Sequence, residues 1–361
     1  MSITLPIMDM PSPEAMQTPL TPAPAPSAAR REGRLFDRHG RVIRDLRLSI
    51  TDRCNFRCVY CMDPDYRYMP KRELLSLEEY LTVARVCAGL GLDKLRITGG
   101  EPTLYGKIDE VISAVGKLSY QDVALTTNGS RLDRMPLKKW RHLGLHRITL
   151  SLDSMRAERV AAITRTAQSS QGVIQAIDLA KQAGFDPIKV NAVIVRGVND
   201  DEVADFADFA RDHDVNMRLI EFMPLDSEHA WSRGRVFSAS EMLELIRMRH
   251  DLIPMKNDDA HSTSMNFQFS DGAPGSIGVI ASVTRPFCGA CSRLRITADG
   301  KIRPCLFSHE EWDLRPMLRS GASDEDLAQF ITNAVWTKQA GHGIGQDGFT
   351  PPERSMSAIG G

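Results

Sequence analysis

The chain has 361 residues, a formal net charge of −1 at pH 7 and an apolar fraction of 42%. That length carries one large domain or two smaller ones, and the near-zero charge excludes a global field drawing the chain to nucleic acid or an anionic membrane. No apolar run approaches the roughly 20 residues of a membrane-spanning helix, so the composition reads as that of a soluble globular protein.

Residues 1–33 are biased to Pro, Ala and Ser and are expected to form a disordered or extended tail. They lack the basic start and apolar centre of a secretory signal. Asp9 and Glu14, with no Arg before Arg30, argue against a transit peptide. From residue 45 onward β-rich segments alternate with amphipathic helical patterns. Strands are predicted at 45–51, 94–98, 122–126, 147–152, 188–195 and 217–222. Ser76 with Glu79, Asn199 with Glu202, and Ser238 with Glu241 have the spacing of capping boxes at helix starts. Six such units imply a parallel sheet, open or part of a barrel, in residues 34–223.

Cys54, Cys58 and Cys61 form a C-x3-C-x2-C loop directly after the first strand. Three thiolates this close suit one iron–sulfur cluster with an iron left open. A structural zinc site is the alternative, but it needs four ligands and no fourth lies nearby in the sequence. Cys288, Cys291 and Cys305 form a second group, and here zinc is a stronger alternative, with His309 as a fourth ligand. Grouped cysteines without a secretory signal point to metal binding in a reducing, cytoplasmic compartment. Cys87 falls outside both groups, in an apolar helical pattern, and reads as a buried small hydrophobe.

Polar residues gather at the C-terminal ends of the predicted strands, where α/β sites form. Gly99-Gly100-Glu101-Pro102 follows the second strand, Thr127-Asn128-Gly129 the third, Ser151 and Asp153 close the fourth, and Glu221 and Met223 end the sixth. A Gly-Gly pair lets backbone approach a ligand closely. Arg47, Lys94, Arg96, Lys189 and Arg218 lie in or beside strands, and alternation puts Lys94 and Arg96 on one face. Buried cations are costly without partners, and a polyphosphate would supply them. Salt-bridged rim residues are the alternative.

Residues 224–361 read as a C-terminal region. One helix is predicted at 239–249 and one at 323–338, with short strands at 266–270, 278–282 and 294–296 and a hairpin turn at 298–301. Arg293 and Arg295 follow Cys291 on one face. The chain ends Gly360-Gly361 after a Gly-rich stretch.

The Cys loop with Tyr60 before its last Cys, and the Gly-Gly-Glu-Pro turn, resemble the radical S-adenosylmethionine (SAM) enzymes. The second group, C-x2-C-x-R-x-R with a later Cys, is similar to the GTP 3′,8-cyclase family of molybdenum cofactor biosynthesis. The resemblance runs from about residue 34 to the C-terminus. It implies an α/β fold, an incomplete TIM-type (β/α)6 barrel with a C-terminal auxiliary iron–sulfur cluster domain.

It also implies two [4Fe–4S] clusters, one on each cysteine group, and SAM as cofactor. By the same resemblance Tyr60, Gly100, Ser151 and Met223 bind SAM. Arg47, Lys94, Arg96, Thr126, Lys189, Arg218, Arg293, Leu294 and Arg295 bind GTP. Arg293, Arg295, Gly360 and Gly361 take part in catalysis. Its expected partners are the GTP substrate, a second copy in a homodimer, an electron donor and a downstream cyclic pyranopterin monophosphate synthase, with neither nucleic acid nor membrane. Two other readings stand beside it. A radical SAM peptide-modifying enzyme with an auxiliary cluster has less use for a basic barrel lining. A non-catalytic iron–sulfur carrier needs no Gly-Gly turn, and two four-Cys clusters would need more than the seven cysteines present.

Overall fold

The computed structural model describes residues 21–167, 170–226, 228–256 and 259–360. A small antiparallel sheet comes first, β1 (Arg30–Arg31), β2 (Arg34–Phe36) and β3 (Val42–Ile43). Most of the predicted tail, residues 1–20, lies outside the described residues. Its last part is not free chain: Ser27–Ala29 forms a helical turn with Ala29 fully buried, and Arg31 pairs with Arg34.

Six parallel strands then lie side by side in chain order: β4 (Asp45–Ser49), β5 (Lys94–Thr98), β6 (Asp122–Thr127), β7 (Arg147–Ser151), β8 (Lys189–Ile194) and β9 (Asn216–Glu221). All six predicted strands are found, with bounds shifted by at most two residues. Helices such as Leu77–Gly89, Ile108–Val115 and Val203–Asp212 cover the outside. The strand alternation sorts the side chains. Leu46, Leu48, Leu95, Ile97, Val190, Ala192, Met217 and Leu219 face the helices and are at most 1% exposed, in one core with Tyr80, Trp140, Ile177 and Phe206. Arg47, Arg96, Lys189, Asn191 and Arg218 take the opposite face, which is the lumen.

The last six strands are β10 (Leu252–Pro254), β11 (Met265–Phe269), β12 (Ser276–Ile280), β13 (Arg293–Ile296), β14 (Lys301–Arg303) and β15 (Trp312–Asp313). They extend the same sheet, in the order β10-β11-β12-β9-β8-β7-β6-β5-β4-β13-β14-β15. β12 joins β9 in parallel and β13 joins β4 in parallel. The barrel is thus incomplete, and the predicted change of region at 223/224 is not a break in the sheet. An unclosed parallel sheet has two edges of unpaired backbone groups, and residues from the C-terminal region satisfy both.

Two predicted capping boxes form, at Ser76 with Glu79 and at Ser238 with Glu241. The third does not. Asn199 spends its amide on the carbonyls of Asp153 and Val193 and accepts from Val195 N–H at 2.8 Å. Glu202 is fully buried and accepts from Ser154 Oγ at 2.7 Å and Met155 N–H at 2.6 Å. Tertiary partners outcompete the local motif here. Cys87 is fully buried, and burial alone pushes its thiol up to about 12.

Glu221, at the end of β9, is fully buried and gathers two other segments. It accepts from Ala239 N–H at 2.9 Å, Val283 N–H at 2.7 Å and Thr284 N–H at 2.8 Å. Glu221→Ala strands one buried donor, Ala239 N–H, at about 1–3 kcal/mol, and leaves the part-buried N–H groups of Val283 and Thr284 to water. It is expected to lower unfolding stability by roughly 1–3 kcal/mol, read from denaturant midpoints of the apo-protein; an unchanged midpoint would contradict this linkage.

Candidate active site

The loop after β4 carries Cys54, Cys58 and Cys61. It turns back on itself through Cys61 N–H to Cys58 O at 2.9 Å, and Arg57 and Val59 N–H bond Thr164 O and Ile163 O at 2.9 and 3.0 Å. All three thiols line one cavity of about 130 Å³, together with Gly100 and Ser151. Burial raises Cys54 to about 11 and Cys61 to about 12, and burial with the nearby Asp153 raises Cys58 as well. Thiols held protonated this way become thiolates only when positive metal replaces their protons. The donor set and the space beside it therefore fit a thiolate-held cluster.

The Gly-Gly turn folds against this loop. Gly100 N–H donates to Thr51 O at 2.8 Å and Glu101 N–H to Arg53 O at 2.7 Å. A Cβ on Gly100 would lie 2.4 Å from Arg53 O, so only Gly permits this approach. Glu101, 1% exposed, fixes the turn by accepting from Thr103 Oγ1 and Thr127 Oγ1, each at 2.6 Å, and from Asn128 N–H at 2.8 Å. Tyr60 donates its hydroxyl to Asp153 at 2.6 Å, and Asp153 also accepts from Val193 N–H at 2.9 Å. Burial lifts Asp153 to about 6.

Cys288 and Cys291 flank a helical turn before β13, and Cys305 follows β14. Their thiols and that of Cys61 face one cavity of about 280 Å³. The backbone of this set is held by cations: Arg41 Nη1 donates to Cys288 O at 2.7 Å, and Lys338 Nζ to Pro304 O at 2.5 Å. Burial works to raise the Cys291 thiol, but Arg293 and Lys338 outweigh it and bring it to about 5. Burial raises Cys288. His309, the conceivable fourth zinc ligand, bonds Thr350 Oγ1 at 3.4 Å and does not line this cavity. Among the described residues no three His, Cys, Asp or Glu side chains close on a single ion. The second set also fits a cluster, its three thiols sharing a wall with two arginines.

The lumen continues toward the N-terminal ends of the strands as a second cavity of about 360 Å³. Arg47, Arg96, Arg218 and Arg293 line both cavities. Eight Lys and Arg side chains line the lower cavity against three Asp. Burial and mutual repulsion pull the proton affinities of four of them down: Lys189 to about 6, Arg218 to about 9 and Arg96 to about 10, with Arg47 also well below its ordinary value. Arg96 donates to Thr126 Oγ1 at 2.9 Å and Thr149 Oγ1 at 3.1 Å. Lys94 sits at the lower mouth, paired with Asp259.

The structure thus gathers nearly every predicted site residue along this lumen. Leu294 is the departure. It sits between Arg293 and Arg295, so alternation turns its side chain into the core opposite Leu46, fully buried. Only its backbone is left to meet a ligand. Arg293 stacks over Phe287 at 4.7 Å, and the Nε atoms of Arg293 and Arg295 are buried without a partner among the described residues. Gly360 has φ 80° and packs on Ser49 and Thr98, where a Cβ would come within 2.9 Å of both. Gly361 lies outside the described residues. Sequence reasoning missed Met356 and Ser357, which line the upper cavity, Ser357 N–H bonding Cys61 O at 3.3 Å. It also left Asn191 unassigned, although its Oδ1 is buried in that cavity without a partner among the described residues. No local motif marks these positions; the fold brings them in from distant sequence.

Residues 48–210 match the radical SAM superfamily, and residues 215–344 match the Molybdenum Cofactor Synthesis C family. The chain is 42% identical over 339 residues to the GTP 3′,8-cyclase of Streptomyces coelicolor, covering 92% of this chain and 99% of that one. It is 42% identical over 349 residues to that of Mycolicibacterium smegmatis, covering 94% of each. Among solved structures, Streptococcus suis SuiB bound to its precursor peptide SuiA aligns with a TM-score of 0.57 at 14% identity over 86% of this chain and 68% of that one. The SAM-bound anSMEcpe aligns at 0.55 and 15% identity over 82% and 79%. These two share the fold.

Gly100→Ala forces the turn away from Arg53 O. It is expected to weaken SAM binding at least tenfold, measured by equilibrium binding to the reconstituted protein, while the iron content stays at the wild-type level. Unchanged SAM affinity would remove Gly100 from the site.

Proposed function

The chain belongs to the GTP 3′,8-cyclases of the radical SAM superfamily, and from that premise we propose how its residues divide the work. The reaction is the cyclisation of GTP to (8S)-3′,8-cyclo-7,8-dihydroguanosine 5′-triphosphate, the first step of molybdenum cofactor biosynthesis. Its cofactors are SAM and two [4Fe–4S] clusters. When bound, they supply the one-electron chemistry that removes hydrogen from an unactivated carbon, and the protein supplies orientation and exclusion of water.

Cys54, Cys58 and Cys61 hold the first cluster, and Tyr60, Gly100, Ser151 and Met223 form the wall that receives SAM. Asp153 keeps Tyr60 in place. Cys288, Cys291 and Cys305 hold the second cluster. The observation that carries this division is the single cavity that Cys61 and all three of these cysteines face. A nucleotide in that cavity reaches both sets at once. Its triphosphate extends down the lumen to Arg47, Arg96, Lys189, Arg218 and, at the mouth, Lys94, which neutralise it with charge-assisted bonds. Thr126 sets Arg96. The unpartnered Nε groups of Arg293 and Arg295 hold the guanine edge and stabilise negative charge that develops on its ring in the last reduction. The backbone of Leu294 contributes beside them. Gly360 packs on Thr98, a residue of the upper cavity wall, and the Gly360-Gly361 terminus takes part in catalysis.

A peptide-modifying reading draws on the fold likeness to SuiB, but a lumen lined by eight Lys and Arg side chains against three Asp suits a triphosphate. The same reading of this chain expects a homodimer in the cytoplasm, an electron donor, and a successor enzyme that makes cyclic pyranopterin monophosphate. Among the described residues no helix is long and apolar enough to cross a membrane.

Two outcomes follow from this division. Cys288→Ala is expected to retain SAM cleavage to 5′-deoxyadenosine while losing cyclised product at least a hundredfold; equal loss of both would contradict separate roles for the two sets. The second concerns pH. Lys189, depressed to about 6 in the free protein, is neutral at pH 8, and a triphosphate beside it restores its proton. Binding therefore takes up a proton at a pH above 6, and GTP affinity falls as pH rises from 7 to 9, by up to about tenfold per unit. Calorimetry in buffers of different ionisation enthalpy measures this. Buffer-independent heats, or an affinity that rises with pH, would contradict it.

A further inference from the structure

A buried ammonium group needs an anion nearby, because low dielectric penalises a lone charge by several kcal/mol. Lys338 is 2% exposed and follows the helix Asp324–Trp336, whose carbonyl end favours a cation. Its Nζ donates to Arg293 O at 2.6 Å and Pro304 O at 2.5 Å. Arg293 lies two residues after Cys291, and Pro304 immediately precedes Cys305. Lys338 therefore grips two of the three arms that carry the second thiol set.

Two neighbouring cations, Arg41 and Arg303, are neutralised by carboxylates. Arg41, which holds Cys288 O, pairs with Asp37 at 2.6 Å, and Arg303 pairs with Glu311. Lys338 makes no such pair among the described residues; burial lowers its proton affinity, and the anionic groups that oppose this are Cys291 and Cys305. Its counter-charge is the thiolate set itself.

We propose that Lys338 is a positioning residue for the second cluster: a fixed positive charge that raises the reduction potential of the metal held by Cys288, Cys291 and Cys305, and a clamp on the Cys291 and Cys305 arms. Reduction adds one negative charge to the thiolate-held group. A cation bonded to the backbone of two of its arms stabilises the reduced form more than the oxidised one, and the buried setting magnifies the difference. On the first set Arg57 donates to Cys54 O at 2.9 Å, while Cys58 and Cys61 meet the anionic Asp153 and the neighbouring thiols.

The inference rests on the second thiol set holding a cluster, and the test separates the two ideas. Iron content and an anaerobic redox titration followed by electron paramagnetic resonance are compared for reconstituted wild type, Lys338→Gln, Lys338→Arg and Cys288→Ala. At the midpoint of the wild-type second centre, Lys338→Gln with full iron is expected to show a reduced-to-oxidised ratio at least tenfold lower, a downward shift of about 59 mV for one electron. Lys338→Arg stays within threefold of wild type, and the first centre does not move. Full iron with an unchanged ratio in Lys338→Gln overturns the proposal. Iron lost from the second set in Lys338→Gln but retained in Lys338→Arg supports it, because only the charge differs in kind; loss in both overturns it. Iron content in Cys288→Ala equal to wild type would instead refute the cluster reading itself.

Discussion

The lumen of this barrel holds more buried positive charge than its own carboxylates neutralise, and the remaining features of the site follow from that imbalance. Arg47, Arg96, Lys189 and Arg218 repel one another in a desolvated space, which is why Lys189 is drawn to about 6 and Arg218 to about 9. Such a set is unfavourable in the free protein and favourable once a polyanion enters. The scaffold sustains it because the opposite face of each strand is fully apolar and packed under helices. Stability lives on the outer face of the sheet and binding on the inner one.

Around that lumen the chain places two thiol sets in different electrostatic settings. In the first, burial and Asp153 raise Cys58 and Cys61. In the second, burial raises Cys288, but Arg293 and Lys338 draw Cys291 to about 5 against the effect of burial. One cavity joins them. The open edges of the six-stranded barrel make this arrangement possible. β13 pairs with β4 and so brings the second set over the same lumen as the Cys loop that follows β4. A closed barrel would leave no edge for it.

Much of this was legible in the sequence. Alternation in Lys94–Thr98 put Lys94 and Arg96 on one face, and that face is the lumen. The two cysteine groups announced themselves by spacing. Leu294 shows the limit of a motif read as a unit, since the same alternation that points its neighbours inward sends it into the core. Asn199 and Glu202 looked like a local cap and became tertiary anchors, because buried partners across the fold bind them better than their own backbone. Asn191 was legible only as a polar residue within the fifth strand, and Lys338 and Ser357 carried no signal at all. Their roles arise from contacts to residues tens to hundreds of positions away, such as Ser357 to Cys61, and no periodicity encodes those.

The central claim is that GTP spans the single cavity, with its ribose toward Cys61 and the Gly100 turn and its guanine toward Arg293 and Arg295. A bond between C3′ and C8 requires the 3′ hydrogen to leave, and Tyr60, Gly100, Ser151 and Met223, which line that cavity, would hold the SAM that supplies the hydrogen-removing chemistry. The most direct measurement is an anaerobic reaction with GTP deuterated only at C3′, read by mass spectrometry of the 5′-deoxyadenosine. The arrangement predicts one deuterium in the 5′-deoxyadenosine, and a cyclised nucleotide that has lost it. Unlabelled 5′-deoxyadenosine formed together with cyclised nucleotide would place the ribose elsewhere and contradict the shared cavity as the seat of the reaction.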